Sequence, residues 1–206
     1  GLGDFLERPA AQPEPDGFPQ LGERVGSYRL IERIDSGGMG VVYLARRADE
    51  AYQQQVAVKL IRPLHLGAGA AFRAQLVARF ENERALLARM AHPNIARILD
   101  GGSTTSGLPW PAMEYVEGRS LTDHCRGHDA TLAERLALFA QVCDAVAFAH
   151  RTLIVHRDLK PANTLVDAAG HVKLLDFGIA KLLDAAAVRE AEQTIAPFTP
   201  DYAAPE

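Results

Sequence analysis

The 206-residue chain has little cysteine, no excess of basic residues and no hydrophobic run of membrane length. Its two cysteines, Cys125 and Cys143, have no C-x-x-C spacing, which argues against a disulfide scaffold and indicates a reducing compartment. The net charge of −4 argues against nucleic-acid binding driven by positive charge. Because no signal-peptide pattern is present either, we expect a cytoplasmic location, and a membrane anchor elsewhere in a longer product stays open.

Proline and glycine are unevenly distributed along the chain. They are frequent in residues 1–27, where no hydrophobic period persists, and this composition predicts a flexible leader. Apolar residues make up 48% of the chain, which is enough to bury a core. The length suits one moderate domain or two small lobes.

Alternating apolar residues in the first half predict a five-stranded antiparallel sheet. The predicted strands are residues 28–34, 41–48 and 54–61, followed by strands within 92–104 and 109–118. Residues 71–91 instead have a helical period and predict one long helix.

The second half begins with a strong helical pattern over residues 131–151. Thr131 and Glu134 have the spacing of a capping box at its start. The residues predicted to form its buried stripe are Leu132, Leu136, Phe139, Cys143, Val146 and His150. Loops and short strands with a D-A-A-G turn are predicted to follow.

A glycine-rich turn, "RIDSGGMGVVYLA", lies between the first two predicted strands. A Rossmann fingerprint needs a helix after the glycines, and a Walker loop needs G-K-[ST], so neither fits. The pattern matches a strand–glycine–strand phosphate loop but, taken alone, a plain flexible hairpin stays open. Nearby, Lys59 lies in an apolar strand and needs an anionic partner, for which Glu83 on the predicted helix is the candidate.

The stretch "HRDLKPAN", residues 156–163, is the most specific motif. Asp158 and Asn163 have the D-x-x-x-x-N spacing of a phosphoryl-transfer loop, in which a carboxylate accepts a hydroxyl proton and an amide oxygen binds metal. "DFG" follows at 176–178, and its Asp176 is a hard oxygen donor suited to Mg²⁺. "APE" occupies residues 204–206.

These motifs, with the wording "SGGMGVVYLA", "HPNIARILDGG" and "MEYVEG", resemble the eukaryotic-type (Hanks-type) Ser/Thr protein kinases of bacteria over about residues 28–206. The resemblance implies an α+β, bilobal protein-kinase-like fold. Its N-lobe, residues 28–112, would hold the five-stranded sheet and one main helix. A hinge at 113–118 would lead to a mainly helical C-lobe, 119–206, which is incomplete because the sequence reaches Glu206 within the A-P-E motif.

The resemblance also implies ATP-dependent transfer of a γ-phosphate to Ser or Thr hydroxyls of proteins. The catalytic residues it implies are Lys59 with Glu83 for the α- and β-phosphates, Asp158 for the substrate hydroxyl, Lys160 for the γ-phosphate, and Thr199 bonded to the catalytic loop. Asn163 and Asp176 would bind Mg²⁺.

For the nucleotide, the resemblance implies a site between the sheet and the C-lobe. Adenine would lie between Val42 and Ala57 above and Leu165 below. The full set of implied nucleotide-binding residues is Ile34, Gly37, Gly38, Gly40, Val42, Ala57, Lys59, Met113, Glu114, Val116, Asp123 and Leu165. Asp35 departs from the family pattern, because it stands where the loop usually has its first glycine, and a carboxylate there predicts weaker ATP binding.

Several alternatives stay open at this level. A nucleotide-binding pseudokinase or an inactive fragment acting as a scaffold would share the same motifs, and a small-molecule kinase is disfavoured by "HRDLKPAN". Thr194 is the expected autophosphorylation site, which implies a possible dimer, and the 206-residue chain alone is expected to be poorly stable or inactive. His124, Cys125 and His128 lack a second cluster at zinc spacing and are expected to be solvated loop residues.

Overall fold

A computed structural model of the chain describes residues 18–37, 40–49, 54–62, 90–156 and 158–176. Its larger sheet has six antiparallel strands in the order β1-β2-β3-β4-β6-β5. These strands are β1 (Arg24–Val25), β2 (Tyr28–Gly37), β3 (Gly40–Arg47), β4 (Gln55–Ile61), β5 (Ile98–Ser103) and β6 (Pro109–Glu114). The predicted long helix over 71–91 lies outside the described residues.

All five predicted strands are confirmed, and β1 adds a sixth within the segment interpreted as a flexible leader. The sheet therefore begins before residue 28. Val25 of β1 is buried, Phe18 packs against the same core, and the Tyr43 hydroxyl donates to the Pro19 carbonyl at 3.0 Å. The leader prediction is wrong for residues 18–27, because these contacts fix them against the sheet, while residues 1–17 lie outside the described part.

The turn between β1 and β2 depends on Gly26. Its φ is +56°, and a Cβ atom there would lie 2.4 Å from the Trp110 ring. Tyr28 meets the same ring edge-on, with ring centroids 6.0 Å apart. The hairpin therefore closes over the core of the N-lobe, which consists of Val25, Tyr28, Leu30, Val41, Tyr43, Ala45, Val56, Val58, Leu60, Trp110 and Ala112.

The described part of the C-lobe has a three-stranded sheet and two helices. The sheet order is β7-β8-β9, with β7 at Gly118–Ser120, β8 at Thr164–Asp167 and β9 at Val172–Leu174. The helices are α1 (Leu121–Gly127) and α2 (Leu132–Arg151), and a 3-10 turn covers Pro161–Asn163. The capping box of Thr131 and Glu134 is confirmed at the start of α2.

Helix α1 contradicts the prediction that His124 and Cys125 are loop residues, whereas His128 lies just beyond its end. Ser120 caps it, because its hydroxyl oxygen accepts the backbone N–H of Asp123 at 3.1 Å. The S-x-x-D spacing of these two residues is the sequence signal that predicts such a helix start.

The buried face of α2 differs from the predicted stripe. Leu132, Leu136 and Phe139 are 73%, 57% and 58% exposed, and Cys143 and His150 are exposed as well. The helix has a second apolar face, which packs against β8 and β9. Its buried residues are Leu138, Val142, Ala145 and Ala149, whose spacing also fits a helical period. The prediction chose the wrong apolar face, because five of its six residues are exposed and only Val146 packs against this core.

The loop before β5 joins the two lobes. Backbone hydrogen bonds run from the Ala96 N–H to the Leu174 carbonyl and from the Leu174 N–H to the Asn94 carbonyl. The Asn94 side-chain amide also donates to Gln141 on α2 and to the Val172 carbonyl. These bonds connect the loop before β5 to β9 and α2. In the described ranges, no helix has the length and apolar character needed to cross a membrane.

Candidate active site

Lys59 projects from β4 toward the C-lobe. Its Nζ lies 2.5 Å from Oδ2 of Asp176, and the two side chains are 14% and 25% exposed. A partly buried lysine needs such a partner because an unpaired charge is costly away from water. The predicted need for an anion is confirmed with Asp176 as the partner, whereas the predicted partner Glu83 lies outside the described residues.

Asp158 is the centre of a second group of polar side chains. It is 8% exposed, and its Oδ2 lies 3.1 Å from Nζ of Lys160. The Asn163 amide donates to the same Oδ2 at 2.9 Å and to the Asp158 carbonyl at 2.8 Å. The turn Pro161–Asn163 brings these residues together, since the Asn163 N–H donates back to the Lys160 carbonyl. Asp158, Lys160 and Asn163 therefore converge as the motif spacing predicts.

His156 connects this group to the strand that leads to Asp176. It is 4% exposed, its Nε2 lies 2.8 Å from the Leu175 carbonyl, and its Nδ1 lies 3.3 Å from the Asp158 backbone N–H. Burial lowers the pKa of His156, against the opposing effect of the hydrogen bond to Leu175 and of the carboxylates of Asp176 and Asp158. In the neutral ring, Nε2–H donates to Leu175 and Nδ1 accepts from Asp158.

Asp176 and Asn163 offer oxygen atoms that fit a hard cation. The Leu175 N–H donates to the Asn163 carbonyl at 2.9 Å, which places the two predicted metal ligands on hydrogen-bonded segments. Both hydrogen bonds of the Asn163 side chain to Asp158 use its NH₂ group, so its amide oxygen keeps its acceptor capacity. Asp176 has φ +54°, a left-handed conformation that aspartate tolerates and that recurs at functional sites. A carboxylate and an amide oxygen are the donors that Mg²⁺ prefers.

The glycine-rich turn joins β2 to β3, with Gly37 directly opposite Gly40. A Cβ atom on Gly40 would lie 1.9 Å from the Leu60 carbonyl oxygen, and its φ is +137°, so this position requires glycine. Asp35 bends toward its own backbone, where Oδ1 accepts the Ser36 N–H at 2.8 Å. Gly38 lies outside the described residues.

The predicted adenine-binding residues of the N-lobe share one face of the sheet. Val42 lies opposite Lys59, Leu44 opposite Ala57, and Ala57 opposite Met113. Directly opposite residues point to the same face of an antiparallel sheet, so Val42, Ala57 and Met113 line one surface with the lysine. Ile34 on β2 is 40% exposed. Leu165 lies on β8, between Ser120 and Lys173 in the strand register.

Glu114 ends β6 and is held from two sides. Its backbone N–H donates to the Arg97 carbonyl at 2.8 Å. Its side chain accepts from Lys173 Nζ at 2.7 Å and from the Arg97 N–H at 3.3 Å. Lys173 was missed by sequence reasoning. Its position as the charged residue of the apolar strand "VKLL" is the signal that points to a paired lysine.

Asp123 does not reach the cluster of Lys59 and Asp158 in the described contacts. Its Oδ2 accepts the Ser120 hydroxyl at 2.6 Å, and the residue is exposed in the first turn of α1. Thr199 lies outside the described residues. His124 and His128 stack with ring centroids 4.6 Å apart, and the described part of the chain contains no cluster of three metal-ligating side chains of the His, Cys, Asp and Glu type.

Comparison with known proteins gives consistent results. The serine/threonine-protein kinase Pkn1 of Myxococcus xanthus is 40% identical over 192 residues, which is 91% of this chain and 26% of that protein. PknB of Mycobacterium leprae is 36% identical over 194 residues, which is 91% of this chain and 29% of that protein. The chain therefore spans little more than a quarter of the length of these relatives.

Among solved structures, the kinase domain of M. tuberculosis PknI is similar with a TM-score of 0.64 and 29% identity, over 79% of this chain and 62% of that one. The sequence model of the protein kinase domain matches residues 28–206. These matches cover the glycine-rich turn, Lys59, Asp158, Asn163 and Asp176, and the chain belongs to the protein kinase domain family.

Proposed function

We propose that this chain is the catalytic part of an ATP-dependent protein serine/threonine kinase that transfers the γ-phosphate of Mg-ATP to Ser or Thr hydroxyls. One observation carries the proposal. Two neighbouring charge pairs, Lys59 with Asp176 and Lys160 with Asp158, are linked by backbone hydrogen bonds. The Asn163 amide donates to Asp158. This arrangement has cations for phosphate oxygens, oxygen donors for Mg²⁺, and a carboxylate for a hydroxyl proton.

The nucleotide would exchange partners within the site. Lys59 would leave Asp176 for the α- and β-phosphates, and the released Asp176 carboxylate would hold Mg²⁺ together with the Asn163 amide oxygen. When bound, Mg²⁺ supplies neutralisation of phosphate charge. Adenine would lie against Val42 and Ala57, with Leu165 on the opposite side. The charge pairs of the ligand-free chain thus keep both groups in place for this exchange.

The transfer step would use Asp158 and Lys160. The substrate hydroxyl oxygen forms a bond to the γ-phosphorus while the bond from phosphorus to the β–γ bridging oxygen breaks, and ADP leaves with that electron pair. The hydroxyl proton passes to the Asp158 carboxylate, and Lys160 turns from Asp158 to the transferring phosphate. Asn163 holds Asp158 in position through its two hydrogen bonds.

The proposal is tested by γ-phosphate transfer from labelled ATP to a generic protein substrate. Asp158→Asn should lower kcat by about a hundredfold or more and keep ATP binding, because the general base is lost and the nucleotide contacts remain. Asp144→Asn, on an exposed carboxylate of α2, is the matched control and should match the unchanged chain. Where the unchanged chain transfers phosphate, equal transfer by the Asp158→Asn variant would refute the assignment. ATP binding without transfer by the unchanged chain would favour the alternative of a pseudokinase or an inactive fragment.

Regulation is a further part of the proposal. Thr194 would be autophosphorylated between two copies of the chain, and phosphate there would pair with Arg157 before Asp158. The support is the sequence alone, since both residues lie outside the described part. Phosphopeptide mapping of active enzyme checks it, and an unmodified Thr194 would exclude this site. The free thiols of Cys125 and Cys143 suit the cytoplasm, where we place the activity.

A further inference from the structure

Three arginines lie side by side at one end of the N-lobe sheet. The turn at Gly26 and Ser27 places Arg24 opposite Arg29, and the β2–β3 register places Arg29 opposite Arg46. Directly opposite residues have Cβ atoms about 5 Å apart and point to the same face. Arg24, Arg29 and Arg46 therefore form a row, about 10 Å long, across three neighbouring strands. We call them the arginine row.

The arginine row points to solvent. All three side chains are exposed, whereas their neighbours Val25, Tyr28, Leu30 and Ala45 are buried on the other face. Within the described ranges no carboxylate is bonded to any of the three. Arg29 Nη1 donates to the Gly22 carbonyl at 3.1 Å.

The exposed carboxylate of Glu32, opposite Leu44 on the same face as Arg46, forms no ion pair with the row in the described ranges. Asp49 is held by Arg47 through hydrogen bonds to both carboxylate oxygens, and Arg24 adds only a weaker attraction. Like charges directly opposite each other in a sheet are destabilising. A bound anion would remove that repulsion, and the planar guanidinium fork matches a carboxylate with two parallel hydrogen bonds.

We propose that the arginine row is a docking surface for an acidic segment of a protein partner. Charge complementarity selects the class of ligand, and the size of the row selects a peptide over a nucleic acid. Three cations on an acidic chain with a pI of about 6.0 neutralise too few phosphates to bind DNA or RNA well. An acidic peptide places carboxylates within the 10 Å span of the row.

The position of the row relates it to the catalytic cleft. Arg46, Leu44 and Val42 alternate along β3 and therefore share a face, with Arg46 about 13 Å from Val42. A partner segment bound at the row would lie on the same face as the proposed nucleotide site, at the other end of the strands. Docking does not require phosphate transfer, so its test does not depend on the proposed activity.

The test measures binding of a labelled short peptide in which glutamate alternates with serine, by fluorescence anisotropy at low salt without ATP. The double variant Arg24→Gln and Arg46→Gln should bind it about tenfold more weakly, because two exposed charge contacts are lost. The control variant Arg119→Gln and Arg126→Gln, which removes two exposed arginines of the C-lobe, should bind as the unchanged chain does. The peptide with glutamine in place of glutamate should not bind.

A second measurement, thermal unfolding, shows whether the variant is folded. Because Arg24 and Arg46 are exposed and repel Arg29, the double Gln variant should unfold at a higher temperature than the unchanged chain at low salt, and high salt should remove the difference. Lysines at both positions should restore part of the peptide affinity. Equal peptide binding by the Gln variant and the unchanged chain would overturn the proposal. Tighter binding of a single-stranded oligonucleotide at the row would overturn it in favour of a nucleic-acid partner.

Discussion

The catalytic centre and the arginine row arrange charge in opposite ways. In the catalytic centre each lysine faces a carboxylate, as Lys59 faces Asp176 and Lys160 faces Asp158. In the arginine row, each cation faces another cation across the strands. Both regions belong to a chain of net charge −4, so overall composition does not explain the difference.

Burial explains it. Lys59 is 14% exposed and Asp158 is 8% exposed, and a buried charge without a partner is costly. The row is exposed, so water and salt screen its repulsion and the arrangement is tolerated. A ligand at the catalytic centre must therefore displace internal partners, whereas a ligand at the row relieves an existing repulsion.

Removing Lys59, the cation paired with Asp176, should have the largest effect, which is on phosphate transfer. Lys59→Met takes the positive charge from the proposed phosphate site and leaves Asp176 without its partner, so kcat/KM for phosphate transfer should fall about a hundredfold or more. Steady-state transfer from labelled ATP measures this. Lys59→Arg is the control that keeps the charge. A variant within threefold of the unchanged chain would show that the cluster is not catalytic.

Asp35 adds a negative charge at the glycine-rich turn. Asp35→Gly should strengthen ATP binding by up to about tenfold, because a carboxylate about 8 Å from phosphate costs roughly 0.5–2 kcal/mol at effective dielectrics of 80 to 20. The hydrogen bond from the Ser36 N–H directs this carboxylate toward its own backbone, which favours the lower end of that range. Titration calorimetry measures the affinity. Unchanged affinity would make Asp35 a neutral departure from the family pattern.

The pair of Lys173 and Glu114 tests whether a partly buried ion pair also stabilises the hinge. Lys173→Met should lower the free energy of unfolding by about 1 kcal/mol, because Glu114 loses a partly buried partner. Denaturant titration measures the change. Arg47→Gln breaks the exposed pair with Asp49 and should have a smaller effect. A larger loss of unfolding free energy for Arg47→Gln than for Lys173→Met would show that burial does not distinguish the catalytic centre from the arginine row.

The smallest expected effect is the pH dependence of stability that His156 causes. Its pKa is lowered in the folded chain, so below the ordinary pKa of 6.5 the unfolded chain binds the proton first. Stability should therefore be unaffected by His156 above about pH 7.5 and should fall as the pH drops through 6.5 toward the lowered pKa of the folded chain. His156→Gln should remove this slope and His128→Gln, at an exposed histidine, should keep it. Denaturant titrations across this range decide between them.

Sequence patterns predicted the site better than they predicted packing. The motif spacings placed Asp158, Lys160 and Asn163 correctly because the 3-10 turn at Pro161 is local and brings nearby residues together. The predicted buried face of α2 was wrong because this helix has two apolar faces. Which of them is buried depends on the contacts with β8 and β9. Glu114 and Lys173 are 59 residues apart along the chain, so no local pattern predicts their pairing.

Residue types and short spacings were sufficient to predict the family, the order of the strands along the chain and the groups that we propose to act on phosphate. Each depends on residue type and short spacing, which local geometry enforces. The tertiary structure was needed to show that Lys59 pairs with Asp176, that residues 24 and 25 extend the sheet, and that three arginines lie in a row. Strand register and long-range packing bring distant residues to the same place, and the energy that selects them is distributed over the whole core.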